Sequence, residues 1–342
     1  MKRFFLVLLA LFCVVGVANA KEASLVRIKA DLTKGDLWQQ IVAESPFKLG
    51  EKTAIDGGLF SIDYGTYPCI DGSTVSLAMA MEFAWQHKVV PEKDVPGFVF
   101  LSTTHKGYEH LVFGKSNGAS MVASEMAVMD ESHGVDLFIG TEPSDEEKAM
   151  AEMNGVELKT EPVCLDAFVF ITHKDNPIES LTTEQIKAVY QGRITNWKDV
   201  GGEDMPISAY RREKNSGSET GLEQLVMEGE PLPEADPVYT IGEMEGLVRR
   251  VGDYENGVES LGYTYLYYIS NLYLNENVKV LLVDGVAPTA ENIQSGAYPF
   301  CTKYYGVYRG GEENAAGGQF LKWMLSDEGQ SCIAQAGYIT LK

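Results

Sequence analysis

The chain is short of positive charge. Its 342 residues carry 28 Lys and Arg against 49 Asp and Glu, a formal net charge of −21. Such a surface has no basic stripe for nucleic acid and no cationic face for anionic lipid. Any anion it binds must be held against the overall field, by local dipoles and one or two arginines in a buried, short-range site. Cysteine is scarce as well, with five in the chain and none in the CxxC spacing of a zinc or redox site. The histidines, 87, 105, 110, 133 and 173, are scattered. The five-residue step from His105 to His110 puts them on different helix faces, which argues against a metal site. Repeats and low-complexity tracts are missing, and after the first twenty residues no apolar run is long enough to span a bilayer.

What is present begins with an export signal. Lys2 and Arg3 precede an apolar run over 4–15, and Ala18-Asn19-Ala20 follows as a small-x-small cleavage site. The expected product is an exported chain starting at Lys21. Phe12 stands before Cys13 where a lipid-modified cysteine needs a small residue, so a lipoprotein is not expected. Cys69, Cys164, Cys301 and Cys332 remain, and in an oxidising compartment they permit two disulfides in any of three connectivities.

From residue 67 onward, short apolar strands alternate with amphipathic helices, the pattern of an α/β protein with mostly parallel sheets. Strands are expected at 67–70, 98–101 and 136–139, and helices over 75–86, from 104 through 111, and from Ser144, where Glu147 completes a capping box. Each strand ends in hydroxyl or acidic residues where a helix begins, the place where open α/β sheets hold ligands. Two longer apolar strands, 164–171 and 298–308, read as crossings between two domains. A final helix over 319–336, with Phe320, Trp323, Met324 and Ile333 on one face, is expected to buttress the first domain. Residues 21–66 and the Met- and Ala-rich 114–134 (with an inserted helix over 119–129) have no functional reading.

The stretch Ser208-Ala209-Tyr210-Arg211-Arg212-Glu213-Lys214-Asn215-Ser216-Gly217-Ser218-Glu219-Thr220 carries the most chemistry. It reads as a strand delivering Arg212, then a polar turn, then a helix over 219–227. A helix start offers unpaired N–H groups, Ser216 and Ser218 add donors, Gly217 allows close approach, and Arg212 brings a fork-shaped permanent charge. The same residues also suit an ordinary capped helix beside a surface arginine.

Residues 166–171, Asn176-Pro177, 180–186 and Tyr190-Gln191-Gly192-Arg193-Ile194-Thr195-Asn196-Trp197 closely resemble the periplasmic phosphate-binding protein family of ABC importers. Asp71-Gly72-Ser73-Thr74, Ser102-Thr103-Thr104-His105 and Asn215-Ser216-Gly217-Ser218 are similar to the family's ligand loops. Gly262-Tyr263, Tyr298-Pro299 and the ending from Phe320 to Tyr338 continue the match. The resemblance implies a type II two-lobed, hinged periplasmic-binding-protein fold, each lobe a mostly parallel sheet flanked by helices. It implies lobe I as 67–165 plus 285–342 and lobe II as 166–284, after a signal peptide (1–20) and an N-terminal extension (21–66). The implied protein is a periplasmic monomer without cofactor or metal that closes around inorganic phosphate and delivers it to a membrane-embedded ABC permease. Carried over by position, the phosphate ligands are Ser73, Thr74, Thr103 or Thr104, Arg212, Ser216, Gly217 and Ser218, with Ser76 a further candidate. Many family members place an aspartate after the third strand. This chain has Thr141-Glu142, so Glu142 is the expected acceptor of the phosphate proton that sulfate lacks.

Other classes remain open. The same fold could hold another oxyanion or a phosphorylated solute, or present phosphate to a sensor. An exported phosphatase is disfavoured, because the Ser216 turn lacks the glycines of a nucleophile elbow. Gly114-Lys115-Ser116 stands six residues from Gly107 where a P-loop needs four.

Overall fold

The computed structural model describes residues 48–50, 67–87, 92, 95–99, 101–114, 134–234, 239–253 and 257–341. The expected leader, most of the 21–66 segment and the helix over 119–129 lie outside the described residues.

One long strand organises the molecule. β1 (Ile70–Gly72), β2 (Leu137–Gly140) and β3 (Leu158–His173) come first in the chain. The short strands β4 (Ser180–Leu181), β5 (Ser208–Ala209), β6 (Arg211–Arg212) and β7 (Thr240–Ile241) follow. β8 (Ser260–Tyr265), β9 (Val278–Val280), β10 (Leu282–Val283) and β11 (Cys301–Arg309) complete the described strands. The main sheet runs β1-β2-β11-β3-β8-β5, with β9 also on β3. Pairs β1–β2 and β5–β8 are parallel, as are β4–β10 and β6–β7 outside the main sheet. The crossing strands β3 and β11 run antiparallel to each other and to their other neighbours in the main sheet. The first half of β3 is partly exposed and its second half wholly buried. Ala167 to Ile171 is the continuous apolar run that a strand covered on both faces requires.

β3 changes partners within two residues. Ala167 is the last opposite β11, paired with Cys301, and Phe168 is the first opposite β8, paired with Tyr265. Residues 166–168 are thus where the sheet passes from its β11 side to its β8 side. Phe168 stacks on Tyr263 at 5.3 Å, and Phe170 meets Phe300 edge-on at 5.8 Å, so aromatic packing stiffens the crossing.

Helices α1 (Leu77–Gln86), α2 (Val95–Phe98), α3 (Thr104–Phe113) and α4 (Asp145–Met153) belong with the first lobe's strands. α5 (Thr183–Tyr190), α6 (Gly217–Gly221), α7 (Met244–Val251) and α8 (Ala290–Gln294) come later, and α9 (Ala316–Met324) and α10 (Asp327–Gln335) end the chain. The expected capping box at Ser144 forms, and Thr182 and Gln185 make a second.

Three expectations differ. Residues 95–98 form a turn of helix in place of a strand at 98–101, with Pro96 in the first turn, where its missing N–H is no loss. The single terminal helix is two, because Ser326 Oγ caps the N–H of Gly329 and starts a new one. Its expected apolar face is nevertheless core, with Phe320 and Trp323 packing edge-on against Phe83 of α1. Third, no disulfide links Cys69, Cys164, Cys301 and Cys332. Cys164 and Cys332 are buried in the main core with Cys301 packed against it, Cys69 belongs to a smaller cluster, and burial pushes the Cys164 and Cys332 thiols upward.

At the crossing, Asp166 is buried and ties three chain passages together. It accepts the Tyr304 hydroxyl of β11, the N–H of Ala167 at 2.8 Å, and that of Tyr267 beyond β8 at 3.2 Å. Burial pushes its carboxyl up to about 7, against the hydrogen bonds that favour the ionised form. The folded protein thus keeps a proton that the unfolded chain releases near pH 4. Through this group, stability falls as pH rises from roughly 4 to 7 and is flat above, by up to ~4 kcal/mol in total. His87 has the opposite slope, since burial pulls its imidazole down to about 4. Comparing urea midpoints of wild type and Asp166→Asn across this window isolates Asp166. The variant is expected to lose that part of the slope, and parallel pH curves for the two proteins would contradict the assignment.

Candidate functional site

A cleft of about 290 Å³ opens where turns from both lobes converge. The first lobe contributes Ser73, Thr74 and Val75, then Thr103, Thr104 and His105, then Thr141. The second contributes residues 212–218 and 242–245, with Tyr265 and Tyr268.

The first turn is built by close approach. A Cβ at Gly72 would lie 2.0 Å from the carbonyl oxygen of Ile139, so only glycine lets β1 pass β2 there. Ser73 donates its N–H to that carbonyl at 3.0 Å. Ser76 Oγ donates to the carbonyls of Ser73 and Ile139 at 2.8 and 2.7 Å, making Ser76 a brace for the turn and not a cleft donor. The Ser73 hydroxyl is buried and has no hydrogen-bond partner among the described residues. In the second turn, Thr103 is exposed with φ +81 and Thr104 is buried at the start of α3.

At the third turn the expected residue does not reach the cleft. Glu142 is about half exposed, 3.7 Å from Lys148 Nζ, and does not line the cavity. Thr141 does, with its buried hydroxyl lacking a partner and its carbonyl held by the Tyr108 hydroxyl at 2.8 Å. The chain swings outward after Thr141 to reach the Ser144 cap, which carries the next side chain, Glu142, to the outer surface.

The second lobe places two adjacent arginines on opposite sides of β6, as strand geometry demands. Arg211 is paired with buried Glu219, which also accepts the Tyr263 hydroxyl and the N–H of Arg212. Arg212 instead faces the cleft. Its Nε donates to the Ile241 carbonyl at 3.0 Å and its two terminal nitrogens to the Gly242 carbonyl at 2.8 Å and Ser218 Oγ at 3.4 Å. No carboxylate among the described residues forms an ion pair with it. Burial pulls its guanidinium below the ordinary arginine range, yet it stays charged. Ser216 Oγ caps α6 on the N–H of Glu219 at 3.2 Å, and the Tyr265 hydroxyl holds the Gly217 carbonyl at 2.7 Å.

The lobes touch across this site. A Cβ on Gly217 would sit 2.5 Å from Thr141 Oγ1 and 2.7 Å from Thr104 Oγ1. At the rim, Lys214 pairs with Glu146 of α4, which also accepts Asn215 Nδ2 at 2.5 Å. His105 lies against Glu147 at 3.1 Å. Of the residues expected from sequence, Ser73, Thr74, Thr103, Thr104, Arg212, Ser216, Gly217 and Ser218 all line one cavity, and Glu142 does not. Thr141, Tyr265, Tyr268 and the 242–245 turn were missed. All four residues of β2 are buried, so no alternation in the sequence signalled which residue after it turns inward.

The assembly sets hydroxyl-bearing residues of one lobe against an arginine of the other that forms no ion pair among the described residues, the design of a two-lobed solute-binding protein. The chain belongs to the PBP superfamily, whose PBP superfamily domain matches residues 105–328. The phosphate-binding protein PstS of Bacillus subtilis (strain 168) is 25% identical over 227 residues, covering 66% of this chain and 65% of that protein. PstS of Borreliella burgdorferi is 28% identical over 186 residues, covering 52% of this chain and 64% of its own length. The chain thus spans less than two thirds of the length of these relatives. A Clostridium perfringens structure assigned to phosphate ABC transport, with bound phosphate, is 26% identical with a TM-score of 0.57, covering 80% of this chain and 98% of its own. An ABC-type phosphate transport receptor from Vibrio cholerae, 19% identical with a TM-score of 0.53, covers 79% and 98% and shares the fold.

Proposed function

We propose that this chain is an exported binding protein that captures inorganic phosphate between its lobes and delivers it to an ABC permease. The observation that carries the reading is Arg212, half-buried, without an ion pair among the described residues, and facing across the cleft the Ser73 and Thr141 hydroxyls, which have no partner there either. A tetrahedral oxyanion would satisfy all three at once, and charge-assisted hydrogen bonds are about twice as strong as neutral ones. Thr74, Thr104, Ser216, Gly217 and Ser218 complete the proposed ligand set, with Thr103 at its edge and Thr141 in the place expected for Glu142. The lobes are proposed as 67–165 with 285–342, and 166–284. Residues 285–300 lie along the hinge, where the Tyr298 hydroxyl donates to the Phe168 carbonyl at 3.2 Å. Phosphate stabilises the closed form only through its higher affinity for that form, which the permease would recognise.

Isothermal titration calorimetry on protein stripped of phosphate, with phosphate and then sulfate at one pH and salt, tests this. Saturable one-to-one phosphate binding is expected, and no heat from folded protein would overturn it. Thr141→Val should weaken phosphate roughly tenfold while leaving the melting temperature level or raised, because a buried hydroxyl without a partner becomes a methyl. Calorimetry and a thermal melt on the same sample check both halves. Glu142→Gln should leave the ratio of phosphate to sulfate affinity unchanged.

A further inference from the structure

We propose that Asp71 is the positioning residue that assembles the first lobe's half of the site, with His110 as its clamp. Asp71 is fully buried in the middle of β1 and does not line the cleft. Its Oδ1 accepts the N–H of Gly72 at 2.7 Å and the N–H of Ser102 at 2.7 Å. Its Oδ2 takes Nδ1 of His110 at 2.8 Å. One carboxylate therefore holds the turn that presents Ser73 and Thr74, the loop that presents Thr103, and the helix α3 that begins at Thr104.

Two features show why a tie is needed there. Thr103 sits at φ +81, a region that β-branched residues avoid, so the loop needs an outside restraint to stay in that shape. The Ser102 N–H bond to Asp71 is that restraint, one residue upstream. Gly107 lets α3 pack tightly on β2, since a Cβ there would meet the Phe138 ring at 2.8 Å, and this brings the helix to within ordinary contact distance of the carboxylate. His110, almost one turn further along α3, closes the tie. An ordinary buried aspartate needs only hydrogen-bond donors close at hand. This one joins the separate pieces that carry the lobe's donors, 31 residues apart at Ser102 and 39 at His110.

The consequence for affinity rests on the phosphate reading, but the positioning does not. Amide hydrogen exchange on the unliganded full chain should show residues 101–107 exchanging at least about tenfold faster in Asp71→Ala than in wild type, with the second lobe unchanged. Phosphate affinity in the same variant should drop roughly a hundredfold, the loss of a buried multi-partner acceptor. Asp71→Asn keeps an oxygen for Gly72 and Ser102 and an amide for His110, and should restore both readouts to within about threefold. Unchanged exchange in Asp71→Ala, or an Asp71→Asn variant as impaired as Asp71→Ala, would overturn the proposal. If Asp71→Ala does not fold, His110→Leu decides instead: faster exchange at 101–107 supports the clamp and wild-type exchange refutes it. A wild type that binds no phosphate would remove the functional reading, and the exchange comparison would still decide the role of Asp71.

Discussion

Arg212→Met is expected to weaken phosphate binding by about a thousandfold or more while the protein stays folded. The guanidinium is the cation of the cleft that no carboxylate neutralises, and it would meet the anion through two or three charge-assisted hydrogen bonds. At ~1.5–3 kcal/mol each, losing two of them costs about 4 kcal/mol. Folding should suffer little, because the bonds lost inside the protein are to the carbonyls of Ile241 and Gly242 and to Ser218 Oγ, all at the cleft wall. Arg212→Lys keeps the charge without the fork and should fall between the two. The neighbouring Arg211→Met makes the contrast. It strands the carboxylate of Glu219, which is 1% exposed, and should destabilise the fold by ~3–5 kcal/mol. Calorimetry beside urea unfolding separates the two phenotypes. If both variants lost stability and kept their affinity, Arg212 would be a structural arginine like its neighbour.

Gly217→Val should prevent the lobes from closing. Gly217 does not have a left-handed φ, so valine is not excluded by the backbone. The obstacle is the opposite lobe, whose Thr141 and Thr104 hydroxyls would stand 2.5 and 2.7 Å from the new Cβ. No contact that short survives, and two side chains with backbone behind them must move apart. The open form has no such clash, so the urea midpoint should stay near wild type while phosphate affinity falls by about a hundredfold or more, the ~3 kcal/mol typical of severe overpacking. Small-angle scattering with and without phosphate should show compaction in wild type and none in the variant. Equal compaction in both would mean that Gly217 is not at the closing surface.

Much of this molecule is readable locally. The caps at Ser144 and Thr182 are four-residue signals whose hydrogen bonds form within their own helix turn, and the one at Ser144 appears where expected. The buried half of β3 is announced by its own apolar run. The Arg212 turn is legible because an arginine, a glycine and two hydroxyls stand within seven residues. Misreadings occur where the local signal is ambiguous. Phe98 to Leu101 is as apolar as a strand, but Pro96 allows a helical turn beside it. Residues 319–336 keep one apolar face across a break that Ser326 makes. Asp71 looked like an ordinary turn residue, since its partners Ser102 and His110 are far along the chain.

The sequence alone therefore determined most of the elements, the Ser144 cap, the long apolar strand and most of the residues that line the cleft, because each depends on neighbours within a few residues. Tertiary structure decided which of Thr141 and Glu142 faces the cleft, that Arg211 is neutralised while Arg212 is not, and that the cysteines stay apart. It also decided that Asp71 holds the first lobe's loops together. Each of these depends on what lies opposite a side chain once distant strands have paired, and the pairing of β3 with both β11 and β8 sets that arrangement.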